Sequence, residues 1–260
     1  MVLIILALIL ISCIFAPIGC IALWKRYVYF GDGLAHSSFL AVSISIIAHF
    51  PLIYSGLIVA ILFSIFVFIF QNNSEKNAVI NLISSSMLAI ALIIINYFSS
   101  AQNNIVNLLF GDILSVAFDD LIVLAIMLIA IICFIAYFYN KILLIIINKD
   151  IAVIKGVKVN IIELLFLLIL SVSVFSAIKI VGVLMVTAVL LIPAMIARFM
   201  VGSPAMMIII SIFISLFINF CAATASFYFD LPLTPLVIII GSLIYGGLYF
   251  SVIARKNWNC

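Results

Sequence analysis

Asp32 and His36 are the two residues of this chain best placed to do chemistry. They stand four apart in Tyr29-Phe30-Gly31-Asp32-Gly33-Leu34-Ala35-His36, a spacing that puts both on one face if the segment is helical. Carboxylate plus imidazole is a plausible ligand pair for a divalent transition metal. Two ligands bind weakly, which suits a site that must release its ion. Two copies across a symmetric dimer axis would supply two histidines and two aspartates, enough for a tetrahedral site. The competing reading is structural: Asp32 caps the N-terminus of the second helix and His36 makes one interhelical hydrogen bond.

The elements that must position this pair follow from composition. Of 260 residues, 69% are hydrophobic and 7% charged, with mean hydropathy +1.58. A soluble domain needs far more charge to cover its surface. Charge-free runs extend over 1–24, 33–74, 77–111, 121–140, 180–197, 199–229 and 231–254. A helix crosses hydrocarbon with about 20 apolar residues, so the longest runs hold two spans, or one span and a partly buried loop. Continuous apolar runs specify helices; barrel strands would alternate in short segments. The expected fold is an all-α, polytopic membrane helix bundle forming a single domain over 1–260.

Nine spans are expected, at 2–23, 33–49, 52–70, 79–97, 119–139, 161–178, 180–197, 205–227 and 233–253. With the C-terminus cytoplasmic, the inside segments hold Lys25, Arg26, Lys76, Lys141, Lys149, Lys155, Lys158, Arg198, Arg255 and Lys256, and the outside segments hold only Lys179. That asymmetry obeys the positive-inside rule and sets the N-terminus outside. The first segment lacks a basic n-region and reads as a retained span, not a cleaved leader. If helix begins near Lys25 and Arg26, a rise of about 1.5 Å per residue puts Asp32 roughly 9 Å and His36 roughly 15 Å deep. An ionisable residue there costs several kcal/mol on an isolated helix, so it normally faces a polar cavity on a substrate path.

Two loops are long. The external 98–118 loop has no Lys or Arg, and its stretch 105–116 is apolar enough to dip back as a re-entrant segment. The cytoplasmic 140–160 loop is basic, and Asp150 to Gly156 reads as a short amphipathic helix closed by glycine. Leu109-Phe110-Gly111-Asp112 repeats the Gly-Asp pattern and could start a helix at the outer mouth. Asp119 and Asp120 are expected as N-caps of the fifth span, His49 as a surface histidine, and Glu163 and Lys179 as anchors at the ends of the sixth. Pro193 interrupts the backbone ladder of a span, opening a cavity or bending the helix. Five scattered cysteines have neither metal-type nor redox-type spacing. Net charge +3 with no basic run gives no reason to expect nucleic acid, and no phosphate-binding G-x-x-x-x-G-K-[ST] loop is present.

The Trp24-Lys25-Arg26 segment leading into Tyr29-Phe30-Gly31-Asp32 and Leu34-Ala35-His36 resembles the transmembrane permease of bacterial zinc ABC importers, a metal-importing family whose other members take manganese or iron. The resemblance runs nearly end to end. It includes Leu109-Phe110-Gly111-Asp112, Asp150 to Val157, Val181-Gly182, Leu191-Ile192-Pro193-Ala194, and Ser226-Phe227-Tyr228 with Asp230 and Pro232. It implies a permease of the bacterial inner membrane that performs no covalent chemistry and holds no permanent cofactor. Asp32 and His36 match the family's metal-passage pair, and zinc is the implied cargo. The implied partners are a second copy, two cytoplasmic ATP-binding subunits docked at the 140–160 coupling loop, and a periplasmic metal-binding protein. ATP binding would draw the cytoplasmic halves together and switch the open side of the pathway.

Two other functions compete. Asp32 and Asp112, both in Gly-Asp pairs, could be the paired carboxylates of an intramembrane aspartyl protease, but the expected topology puts them on opposite sides. An ion-coupled secondary carrier or channel would work without an ATPase, and the amphipathic 140–160 loop argues against it.

Overall fold

Apolar sequence without internal charge becomes helix here because a chain in hydrocarbon must satisfy its own backbone. The computed structural model describes residues 2–71, 75–97, 111, 113, 116–183 and 186–258, with side chains as far as Ser251. Its helices are α1 (Val2–Trp24), α2 (Phe30–Ala48), α3 (Leu52–Phe70), α4 (Lys76–Tyr97), α5 (Phe118–Ile147), α6 (Lys149–Ile154), α7 (Val159–Val181), α8 (Val186–Met200), α9 (Pro204–Phe229) and α10 (Leu233–Trp258). The described residues contain no strand, in agreement with an all-α membrane bundle.

Eight of these helices are long and apolar enough to cross a membrane. The remaining long element, α8, has 15 residues. At about 1.5 Å per residue that is roughly 22 Å, short of a hydrocarbon core of about 30 Å. Its boundaries correct the expected 180–197 span: α7 keeps residues through Val181, Gly182 closes it at φ +88°, and α8 starts only at Val186. The chain nevertheless returns along α8. Trp24 Nε1, at the end of α1, donates to the sulfur of Met207 at 3.3 Å, and Met207 is the fourth residue of α9. The fifth span is also longer than expected: α5 continues to Ile147, 30 residues and roughly 45 Å, so residues 140–147 of the 140–160 segment belong to it.

Helix α1 lies at the centre, buried along Ala7–Ala22 and packed on α9, α8 and α5. Beside it, α2 packs on α4 and α3, and α3 packs on α7. Buried polar side chains join helices where no water can serve them. Asn219 Nδ2 donates to Ser12 Oγ at 2.7 Å, joining α9 to α1. Ser64 of α3 meets Ser171 and the Leu167 carbonyl of α7. Large apolar side chains on the outside, such as Ile93, Ile129, Phe213 and Leu243, form the surface that lipid requires.

Candidate functional site

A turn separates α1 from α2, so helix does not begin at Lys25 and Arg26 as the depth estimate supposed. Trp24 ends α1, and Arg26 takes the left-handed conformation at φ 62°. The Tyr27 amide returns to the Ala22 carbonyl at 2.9 Å, a closure of the kind that ends helices. Tyr27 is then fully buried and its hydroxyl donates to Gln71 Oε1 at 2.6 Å. Helix resumes at Phe30, so Asp32 is a first-turn residue and not about two turns up a helix begun at Lys25. Gly33 lies against Ile80 and Ser84, four and eight residues into α4. That still sets the pair inside the bundle's span.

Asp32 and His36 occupy one face of α2. Between Phe30 and Ser38 they alone are exposed, and the other seven residues are buried. The glycines on either side of Asp32 bring its helix against its neighbours. A Cβ on Gly31 would lie 2.8 Å from Thr187 Oγ1, and one on Gly33 would lie 2.8 Å from Ile80 and 2.9 Å from Phe63. The close approach at Gly31 seats the first turn of α8 beside the first turn of α2, and Thr187 Oγ1 donates to Asp32 Oδ1 at 3.0 Å. Two helix N-termini therefore meet at one carboxylate, an arrangement favourable to negative charge. The second carboxylate oxygen and the His36 ring make no hydrogen bond to the described residues.

The structural alternative for the pair does not take the form expected of it. The N-cap of α2 is Tyr29, so Asp32 is not its cap, and His36 makes no interhelical hydrogen bond among the described residues. The expected polar cavity is not enclosed by one chain: the pair faces outward. Among the described residues no three His, Cys, Asp or Glu side chains come together as a metal site. Pro193 is buried in α8 next to a void of about 10 Å³, no more than one water's room. It makes no passage for an ion.

Of the other candidates, Asp112 and most of the 105–116 stretch lie outside the described residues. Gly111, at φ +66°, sits so close to the end of α7 that a Cβ would be 2.4 Å from the Gly182 amide nitrogen. The N-cap of α5 is Ala117 and not an aspartate. Asp120, in the first turn, accepts from the Ala117 amide at 2.9 Å and pairs with Lys179 at 2.7 Å. His49 ends α2, exposed.

Sequence reasoning missed what Glu163 does. Expected only as an end anchor, it is buried and lies between two lysines, with Lys25 Nζ at 3.5 Å and Lys149 Nζ at 3.8 Å. Burial pushes the Lys25 ammonium down to about 8, against the opposing pull of Glu163. The available signal was a carboxylate one turn inside an otherwise charge-free run, which is costly without a partner. Thr187 gave no signal, standing 155 residues from Asp32.

The model of the ABC 3 transport family matches residues 1–251. The high-affinity zinc uptake system membrane protein ZnuB of Buchnera aphidicola subsp. Acyrthosiphon pisum is 33% identical over 242 residues, covering 92% of each chain. Its namesake in Haemophilus influenzae is 24% identical, covering 91% of this chain and 92% of its own. In the solved structure of PsaBC from Streptococcus pneumoniae in complex with Fab, one chain superposes with TM-score 0.82 at 21% identity, over 95% of this chain and 89% of that one.

Proposed function

The chain belongs to the ABC 3 transport family, and on that premise we propose that two copies pair along the Asp32–His36 face to pass zinc between them. It is a multi-pass membrane permease of a metal-ion ABC transporter, a transport subunit and not an enzyme. The observation that carries the proposal is the outward exposure of an aspartate and a histidine on an otherwise buried stretch of helix. Lipid is the wrong neighbour for that face, because intramembrane ionisable groups turn toward protein or water. A second copy covers it and doubles the ligands to two carboxylates and two imidazoles. Zinc is supported by nitrogen in the donor set and by the zinc-uptake names of the relatives.

In this reading the Lys25 end of the bundle is cytoplasmic, in the bacterial inner membrane. There α6 presents Ile151, Val153 and Ile154, 44%, 58% and 84% exposed, on a helix secured underneath by Ala152. Such an apolar patch between basic residues on a water-facing helix fits a docked partner, here the ATP-binding subunit. A periplasmic metal-binding protein delivers the ion at the other end. The test is uptake into vesicles holding this permease with its ATP-binding subunit. ATP-dependent accumulation of zinc in preference to manganese is expected; manganese preference overturns the cargo, and uptake without ATP overturns the transporter class.

A further inference from the structure

The charges that ion passage leaves unused are Glu163 and Lys25, both buried, and the partly exposed Lys149. Glu163 is the fifth residue of α7, with its side chain 8% exposed. Its two oxygens each face one ammonium: Oε1 faces Lys25 and Oε2 faces Lys149. Lys149 is the first residue of α6, the helix with the exposed apolar patch. Lys25 opens the turn that leads into α2, and that turn has no slack. Its backbone is closed by Lys25 N to Ile21 O at 2.9 Å, Tyr27 N to Ala22 O at 2.9 Å and Phe30 N to Tyr27 O at 3.2 Å. Tyr27 is locked beneath by Gln71. Seven residues after Lys25 stands Asp32.

A buried ion pair is a poor stability device, since apolar residues of similar volume often do as well or better. What a carboxylate between two ammoniums offers is attraction in both directions, so it resists separation from either side where an apolar contact would part.

We propose that Glu163 is a positioning residue that transmits displacement of α6 to the turn before α2, and through it to Asp32 and His36. This rests on the transport reading of that face. When the ATP-binding subunits move α6, Lys149 shifts Glu163, and Glu163 carries Lys25 and the start of α2 with it. Thr187 and Gly31 then change register against each other, altering how Asp32 is presented.

The experiment measures metal ions transported per ATP hydrolysed, and thermal stability, in the assembled transporter. Glu163→Gln is expected to lower the ratio at least about tenfold, within the range of coupling between sites, while basal hydrolysis persists. It also leaves Lys25 buried without its countercharge, which destabilises the fold. The double variant Lys25→Met with Glu163→Gln removes that defect and should recover the melting temperature but not the ratio. Lys149→Gln, at a side chain 40% exposed, should lower the ratio without a loss of stability. A wild-type ratio in Glu163→Gln or Lys149→Gln, or recovery of both ratio and stability in the double variant, overturns the relay. Absence of metal uptake by the wild-type complex sinks the transport reading itself, and the relay with it.

Discussion

Zinc uptake is expected to fall about a hundredfold when His36 becomes alanine, and similarly when Asp32 becomes asparagine, a loss of about 3 kcal/mol in stabilisation of the passing ion. The permease should remain folded and assembled in both cases. His36 is exposed and makes no hydrogen bond to the described residues, so removing its ring strands no buried partner among them. Asp32 accepts one bond from Thr187, which the asparagine side-chain oxygen can still accept. The lost charge at a helix N-terminus costs about 0.3–1 kcal/mol, too little to unfold the bundle. Uptake assays in vesicles, normalised to the amount of folded permease, separate the two effects. Uptake at the wild-type level in either variant would remove the pair from the ion's path.

Gly19→Ala is expected to destabilise the fold measurably, because the added methyl meets backbone. A Cβ at Gly19 would stand 2.0 Å from the Leu190 carbonyl oxygen, and a backbone carbonyl cannot rotate away as a side chain can. To make room α8 must leave α1, where Cys20, Ala194, Ala197 and Met207 pack together. Overpacking of this kind costs typically 1–3 kcal/mol; at the upper end that lowers the melting temperature by about 6–12 °C. The same shift pulls Thr187 away from Asp32, so uptake should fall as well. Gly246→Ala is the control. It lies in α10 with nothing within 4 Å of an added Cβ, and alanine's helix propensity makes it neutral or stabilising. Equal melting temperatures for Gly19→Ala and wild type would mean that α1 and α8 do not cross as closely as described.

Much of this was legible in the sequence, for physical reasons that also mark where legibility ends. Apolar runs bounded by charge report spans because hydrocarbon tolerates nothing else, and the expected second, third and ninth spans coincide closely with α2, α3 and α10. The i, i+4 spacing of Asp32 and His36 reports a shared face, and the structure puts both on one. The expected first span, 2–23, ends within one residue of α1, but the turn that delays α2 to Phe30 was not legible, because Arg26 adopts a left-handed conformation that sequence favours only for glycine or asparagine. The late start of α8 was hidden inside a uniformly apolar run, where Lys179 and Arg198 bound the charge-free stretch but not the helix. Contacts between distant segments, Thr187 with Asp32 and Glu163 with Lys25 and Lys149, depend on tertiary packing that no local pattern encodes. For the same reason the missing cavity could not be foreseen: the pair faces out of its own chain.

Whether protein or lipid covers that outward face decides the pathway, and thiol chemistry at Leu40 reads it directly. Leu40 is half-buried and lies one turn beyond His36 on the same ridge. In native membranes, a permease whose only cysteine is Leu40→Cys should react with a charged, water-borne thiol reagent. It should also be joined to a second copy by a short bifunctional one, because the face lines a wet seam between two chains. Reaction with membrane-soluble reagents alone, and no species of doubled mass, would put Asp32 and His36 against lipid and contradict the proposed pathway.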